Sequence, residues 1–440
     1  MDRTLVCETP KRVNEKIKIE GWVNVVRDHG KITFIDLRDR SGIIQCVGTN
    51  LPKLNAEDVI SIIGKVAKRP EKLVNKNIST GSVELQIEEV KVLAKSDELP
   101  IDMGKEELDV ELHTLLDWRS LTLRHPKVKA IFKVQAKLAE GFRKAAMELK
   151  CTEIFVPTIA ASATEGGAEV FKVKYYEHDA YMTQSPQLYK QMLVPVFERV
   201  FTIAKAYRAE PSVTTRHLSE ATQMDCEMAF VTFEELMDAL EFVGSTTLQH
   251  AEKECSNELK LFGVPKLQIP NKIPRLKMRE AQEIIFKRTG VDHRMERDLD
   301  PEGEREICRW ALDEKKSDLV TITHYPTKKR SFYTKPDPKD PEYSLSYDLL
   351  FRGIEILSGS VRINEYNELV SAIESRGMDA KNFEMYLQAF RFGMPPEGGF
   401  SFGLERLTMK VLELVNVREA SLFPRDMERV DIRLSTLKKK

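Results

Sequence analysis

Little in this sequence announces a specialised chemistry. Six cysteines in 440 residues stand far apart and none forms a Cys-x-x-Cys pair, which argues against a zinc knuckle and leaves free thiols as the simplest state. The eight histidines are scattered and show no ligand spacing. No stretch approaches the roughly 18 uninterrupted apolar residues of a membrane helix. The first residues, Met1-Asp2-Arg3-Thr4, run straight into mixed sequence, with neither an apolar signal core nor an Arg/Ser-rich transit segment, so the expected location is cytoplasmic. An excess of one charge is also missing. The 68 Lys and Arg balance 69 Asp and Glu, so composition alone gives no footprint of nucleic-acid binding, although basic residues can still gather on one face. No repeat and no low-complexity segment appears.

What is present is orderly. Between residues 17 and 95 the pattern is that of strands and turns. Ile17, Ile19, Gly21, Val23 and Val25 alternate, and runs at 33–38 and 43–47 flank the turn Asp39-Arg40-Ser41-Gly42. Runs at 59–66 and 83–87 complete five short strands in about 80 residues, which suggests a small closed barrel such as the OB-fold. Residues 99–127 read as a hinge or linker. From Lys129 the period changes: Ile131, Val134, Leu138 and Phe142 recur at helical spacing, and a short strand ends at Pro157. The expected class is α+β, with an OB barrel over 1–98 and a catalytic domain over 128–440. That domain carries an insertion at about 262–340, rich in Pro, Lys and Asp.

Two segments carry chemistry. Tyr207-Arg208-Ala209-Glu210 is followed by a polar loop to Arg216-His217-Leu218. Arginines at both ends of a loop between strands can hold a polyanion, since the guanidinium fork matches phosphate oxygens; alone, the same residues also make surface salt bridges. Gly398-Gly399-Phe400-Ser401-Phe402-Gly403-Leu404-Glu405-Arg406 has small residues that let a strand run close to a ligand, then enters a helix whose amide end favours anions. The bland alternative is a glycine-kinked strand with Arg406 exposed.

Taken together, in order, with the segment ending at Pro157 and with Asp225-Cys226-Glu227-Met228, these motifs resemble the class II aminoacyl-tRNA synthetases, and most closely the aspartyl enzymes of archaeal and eukaryotic type. The resemblance spans nearly the whole chain. It implies ligation of L-aspartate to tRNA-Asp, with tRNA-Asn left open, using ATP and Mg²⁺ in a homodimer whose interface holds the helix and strand before Pro157. By the same resemblance, Arg208, Arg216 and Arg406 hold the phosphates, and Arg208 and Arg406 are the catalytic charges. Ala209, Glu210, His217, Leu218, Glu355, Gly403, Leu404 and Glu405 complete the ATP site. Glu165, Gln187, Leu188, Tyr189, Lys190, Arg208, Asp225, Ser358 and Arg362 surround the aspartate. Asp348, Glu355 and Ser358 bind the metal, and Arg27, Phe34 and Gln45 hold the anticodon.

Physical chemistry supports several of these roles. A buried ammonium at Lys190 favours a carboxylate over an amide, and Arg362 can pair bidentately with the aspartate side chain. Asp348 and Glu355 on paired strands can face one ligand, and hard oxygens suit Mg²⁺. Phe34 can stack a base while Gln45 reads an edge. Alternation along 33–38 does not decide whether Phe34 faces a base or the barrel core. The related asparaginyl enzymes, a tRNA-binding paralogue without catalysis, and an asparagine synthetase on the same catalytic fold are the rival readings; Lys190 argues against the first, the intact Arg208, Arg406, Asp348 and Glu355 against the second, and the OB-like domain against the third.

Overall fold

The computed structural model describes residues 1–162, 170–211 and 214–437. It divides into two compact units, Met1–Val110 and Glu111–Lys440.

The first unit is a closed barrel of β1 (Lys16–Asp28), β2 (Thr33–Arg38), β3 (Ile43–Gly48), β4 (Val59–Lys68) and β5 (Val83–Ala94), in the order β1-β2-β3-β5-β4. Ile17, Ile19, Val23, Ile35, Leu37, Ile44, Ile60 and Ile62 fill it. One detail departs from strict alternation. The β1–β2 register shifts between Val23 and Val25, and Val26 rather than Val25 packs on the core. A bulge of this kind moves every following side chain to the other face. Arg27 is thereby turned outward, opposite Phe34.

The second unit is built on an eight-stranded sheet. Its strands are β6 (Thr152–Glu153), β7 (Arg199–Tyr207), β8 (Glu220–Ala229), β9 (Arg275–Lys277), β10 (Leu319–Thr323), β11 (Ser346–Phe351), β12 (Ile354–Val361) and β13 (Glu397–Gly403). The order is β9-β10-β11-β12-β13-β8-β7-β6, antiparallel except for the outermost pair at each edge. Helices α1 (Pro126–Glu148) and α3 (Phe233–Glu254) cover one face, and Phe142, Phe201, Met224, Cys226, Leu240, Leu349, Phe400 and Phe402 form the core beneath them. Proline at its first turn starts α1 without loss of a hydrogen bond. Thr232 and Glu235 cap α3 reciprocally. Where α1 meets α3, a Cβ on Gly141 would lie 3.0 Å from His250 Cβ and 3.1 Å from the Thr247 backbone, so the helices approach closely only with glycine there. The opposite face carries α2 (Gln187–Phe197) and stays open between the strands' polar residues.

The connector expected at 99–127 is not uniform. Residues from 111 onward belong to the second unit, which begins with a short helix, Leu112–Asp117. Arg119 is buried and donates to the carbonyls of Leu422 (2.8 Å), Glu419 (3.1 Å) and Ser421 (2.6 Å). The expected insertion is not separate from the sheet either: it supplies edge strand β9 and its neighbour β10, and α4 (Pro301–Lys315) packs against them through Ile307 and Ala311. Near the C-terminus, Arg429 and Arg433 both pair with Asp117.

Candidate active site

The residues that matter lie in rows across the open face of the sheet. Cross-strand pairing sets Thr202, Asp225, Ser401, Ser358 and Asp348 side by side on β7, β8, β13, β12 and β11. The next row holds Glu227, Gly399 and Ser360. Strand period explains this: on β8, Asp225 and Glu227 face the site while Met224, Cys226 and Met228 pack into the core. Glu355 needs a further device. Three residues before Ser358, it would point to the other face of a regular strand. The register of β11 and β12 shifts between Leu349 and Leu350, and this bulge brings Glu355 and Ser358 to the same cavity.

That cavity, of about 340 Å³, is lined at one end by Gln187, Lys190, Asp225 and Arg362, and at the other by Arg208, Arg216, His217, Glu355 and Arg406. Glu210, Leu218, Ser358, Gly403 and Glu405 also line it. Asp348 lies behind Arg330, which does reach the cavity. Four further predicted residues do not line it. Leu188 packs with Phe332 and Ile363 in a separate apolar cluster, and Leu404 belongs to the main core; Tyr189 and Ala209 flank lining residues. Glu165 falls outside the described residues. In the barrel, Phe34, Asp36 and Arg38 alternate with the buried Ile35 and Leu37, so Phe34 is on the outer face. Arg27 and Gln45, cross-strand partners of Phe34 and Asp36, share that face. Arg27 forms a fork with Asp36 at 2.8 and 2.8 Å.

The Lys190 end is a buried charge network. Lys190 Nζ is 2.7 Å from Asp225 Oδ2 and 3.0 Å from Glu227 Oε2, with all three side chains at most 1% exposed. Burial opposes the ammonium, but Asp225 and Glu227 hold its pKa above the ordinary value. An ammonium has three N–H donors, so at least one remains. Arg362 is equally committed. Its Nε donates to Glu227 Oε1 (2.7 Å), Nη1 to Ser360 Oγ (2.6 Å), and Nη2 to Gln187 Oε1 (3.2 Å) and the Gly399 carbonyl (3.1 Å). Its fork therefore belongs to Glu227, and one Nη1 N–H is left for a ligand, which replaces the expected two-point pairing with a substrate side chain. Gly399 makes room for this: a Cβ there would lie 2.1 Å from Glu227 Oε2.

Glu227 meets a second carboxyl, Glu397. Burial raises Glu397 well above the ordinary carboxyl range, and the Glu227 charge adds to it. Burial also acts against Glu227, but the Arg362 and Lys190 charges outweigh it and keep that group ionised. Glu397 Oε1 accepts from Gln191 Nε2 at 2.7 Å, whereas Oε2 is buried and accepts from no donor. The arrangement is that of a neutral acid whose O–H donates to a carboxylate.

At the other end three acids meet three arginines. Arg216 pairs with Glu304 of α4 at 2.8 Å, Arg330 with Asp348 at 2.7 Å, and Arg406 approaches Glu355 at 4.0 Å. Burial, then the Asp348 charge, pushes Glu355 up to about 7. Burial and the neighbouring Arg406, Arg208 and Arg216 lower His217, with Glu210 opposing. The His217 ring meets Thr214 Oγ1 at 2.7 Å. Sequence reasoning missed Glu227, Gln191, Glu397, Glu304 and Arg330 as site residues. Only Glu227 had a signal, sharing strand parity with Asp225.

The family model for tRNA synthetases class II (D, K and N) matches residues 111–427, and that for the OB-fold nucleic acid binding domain matches residues 17–93. An aspartate–tRNA(Asp/Asn) ligase from Deinococcus radiodurans is 39% identical, covering 98% of this chain and 99% of the relative. An aspartate–tRNA(Asp) ligase from Pyrococcus horikoshii is also 39% identical, over 94% and 96%. Among solved structures, asparaginyl-tRNA synthetase from Pyrococcus horikoshii with asparaginyl-adenylate superposes with a TM-score of 0.87 at 31% identity, covering 96% of this chain and 97% of the other. A putative aspartyl-tRNA synthetase from Leishmania major gives 0.89 at 27%, covering 97% and 94%. The chain belongs to the class II tRNA synthetases, with an OB-fold domain of the nucleic-acid-binding kind ahead of the catalytic unit. Enzymes of this family are ligases that consume ATP.

Proposed function

We propose that this enzyme activates L-aspartate with ATP and transfers it to tRNA. The observation that carries the choice of amino acid is the buried pair Lys190 and Arg362, each with one N–H left over at the end of the cavity. A carboxylate accepts from both, whereas an amide presents its own donors. In the first step the aspartate α-carboxylate oxygen attacks the α-phosphorus of ATP. An O–P bond forms, the bond to the β-phosphate oxygen breaks, and pyrophosphate leaves. In the second, a ribose hydroxyl at the tRNA 3′ end attacks the acyl carbon and AMP leaves.

The protein supplies position and charge. Arg208 holds the α-phosphate and the aspartate carboxylate, and Arg216 and Arg406 hold the outer phosphates. Gln187 and Asp225 face the ammonium. Magnesium suits Asp348, Glu355 and Ser358: Asp348 Oδ1 is buried with no partner, and hard oxygens are its preferred donors. When bound it neutralises phosphate oxygens. Arg27, Phe34 and Gln45 form the tRNA-reading face of the barrel. The enzyme works as a cytoplasmic homodimer; the exposed Met147 near the end of α1 and Phe155, 89% exposed beyond β6, support an interface there. Among the described residues no helix is long and apolar enough to cross a membrane.

The test is ATP–pyrophosphate exchange with each amino acid, then charging of purified tRNA-Asp and tRNA-Asn. Exchange with aspartate and not asparagine supports the reading, and exchange with asparagine alone overturns it. Charging of both tRNAs would define the acceptor range.

A further inference from the structure

Arg330 does not belong to any motif that pointed to this site, yet at the Glu355 end of the cavity it is held by two side-chain hydrogen bonds and a stacked ring. Its guanidinium lies 3.9 Å from the ring centroid of the buried Tyr325. Nη2 donates to Asp348 Oδ2 at 2.7 Å and Nη1 to Ser358 Oγ at 3.0 Å. Its backbone carbonyl accepts from Arg376 at 2.9 Å. It therefore grips two of the three oxygen-bearing side chains that suit a metal, and leaves Asp348 Oδ1 unpartnered and buried.

The surrounding charges make this consequential. Glu304, Asp348 and Glu355 each face an arginine: Arg216, Arg330 and Arg406. In the nucleotide-free protein each of these acids already has a counter-charge beside it, and a bare divalent cation must enter beside three positive groups. Arriving phosphates change that. Arg216 and Arg406 line the open cavity and can turn to phosphate oxygens. Arg330 is fixed by its stacking and its two hydrogen bonds and has no such freedom.

We propose that Arg330 is a positioning residue that acts as a resident counter-cation. It neutralises Asp348 and fixes Ser358, so the acidic end accepts a divalent cation only together with the nucleotide phosphates. The coupling is reciprocal, as binding linkage requires: metal favours nucleotide as much as nucleotide favours metal. Its advantage is selectivity, because free metal and metal-free nucleotide both bind poorly.

This inference rests on the proposed ATP-dependent ligation, so aspartate-dependent ATP–pyrophosphate exchange by the unaltered enzyme is the control; its absence would count against that reading and not specifically against Arg330. The direct readout is Mn²⁺ binding to the full chain without nucleotide, followed by electron paramagnetic resonance of the free ion. Removing one positive charge beside the acids in Arg330→Gln is expected to tighten Mn²⁺ binding by about tenfold or more. In Arg330→Lys the charge remains but the planar fork across Asp348 and Ser358 is lost. Its nucleotide-free Mn²⁺ affinity should stay within about threefold of wild type, while the Mg²⁺ concentration for half-maximal exchange rises and KM for aspartate does not. A folded Arg330→Gln enzyme that binds Mn²⁺ no more tightly than wild type overturns the proposal. If Arg330→Gln does not fold, the lysine variant decides: the rise in Mg²⁺ requirement supports the proposal, and its absence, or tighter nucleotide-free binding, overturns it.

Discussion

Glu227 and Glu397 invite a comparison of two isosteric substitutions that differ by one atom each and should differ greatly in effect. Glu227 is the ionised partner. It is 3.0 Å from Lys190 and 2.7 Å from Arg362, both buried. Glu227→Gln leaves those cations with only Asp225 as a charged neighbour. Breaking a buried pair in this way costs about 3–5 kcal/mol. Over a unit of roughly 330 residues, at about 2.1 cal/mol/K per residue, that lowers Tm by about 4–7 °C. Glu397→Gln is the opposite case. A glutamine amide donates to Glu227 as the acid O–H does, and its carbonyl still accepts from Gln191 Nε2. The cost should stay below about 1 kcal/mol, the scale of one neutral hydrogen bond, and Tm should move by about 1 °C. Thermal scans at one fixed rate, at pH 7, compare the two. Because the Glu227 pKa is lowered from its ordinary 4.5 to about 2, its stabilisation is fully present above pH 4.5. The gap between wild type and Glu227→Gln should therefore shrink as pH falls from 4.5 towards 2. Equal losses of Tm in the two variants at pH 7 would refute the reasoning, since both carboxyls would then be ionised.

Three further outcomes follow from the same geometry. Lys190→Met leaves Asp225 and Glu227 facing each other without their shared cation; it should lower Tm on the scale of a broken buried pair, about 3–5 kcal/mol, and reduce aspartate-dependent exchange by about 10- to 150-fold through loss of one charged hydrogen bond, with the Lys190→Met/Asp225→Asn double variant recovering Tm but not exchange. Phe34→Ala should raise the tRNA concentration for half-maximal charging by about 5- to 150-fold, the worth of one base stack, and leave ATP–pyrophosphate exchange untouched. Gly399→Ala places a Cβ 2.2 Å from the Cys226 carbonyl oxygen and 2.1 Å from Glu227 Oε2, so β13 must separate from β8; the cost is about 1–3 kcal/mol or more, read as a fall in Tm together with a raised KM for aspartate.

Much of this was legible along the chain, for physical reasons. The barrel strands follow from period-two alternation, and the sheet's functional row follows from the same period on β8, where Asp225 and Glu227 share a face. The limits are local. Alternation puts Val25 inward, and no residue near Asn24 marks the bulge that reverses the parity and sends Arg27 to the surface. The same applies to Glu355, whose orientation depends on a bulge that leaves its neighbour Ile356 unpaired with the facing strand. Arg330 closes the run Lys328-Lys329-Arg330, which reads as a solvated basic stretch. Its burial depends on Tyr325 and Asp348, the second of them 18 residues away. Glu397 gives no hint of being neutral, because its state is set by Glu227, distant in sequence and adjacent only in the sheet.

On the proposed reading, this changes how aspartate is told from asparagine. A lone buried lysine would act as an attracting charge, and the selection would be one of net charge. Here Lys190 and Arg362 are balanced by Asp225 and Glu227, with Glu397 neutral, so that end of the cavity carries no excess positive charge to draw an anion. What it retains is direction. The spare N–H groups of Lys190 and Arg362 are donors, and their rigid partners leave them nothing else to bond. A carboxylate is acceptor-only and meets both. An amide can offer one oxygen, and its NH₂ then opposes a donor, leaving groups unpaired at about 1–3 kcal/mol each. Two such mismatches give a preference from about 30-fold to the order of 10⁴, without an editing step and without a net field. Glu227 thus selects by fixing the two cations rather than by touching the substrate, and its loss should erode the preference for aspartate over asparagine more than it weakens the binding of either.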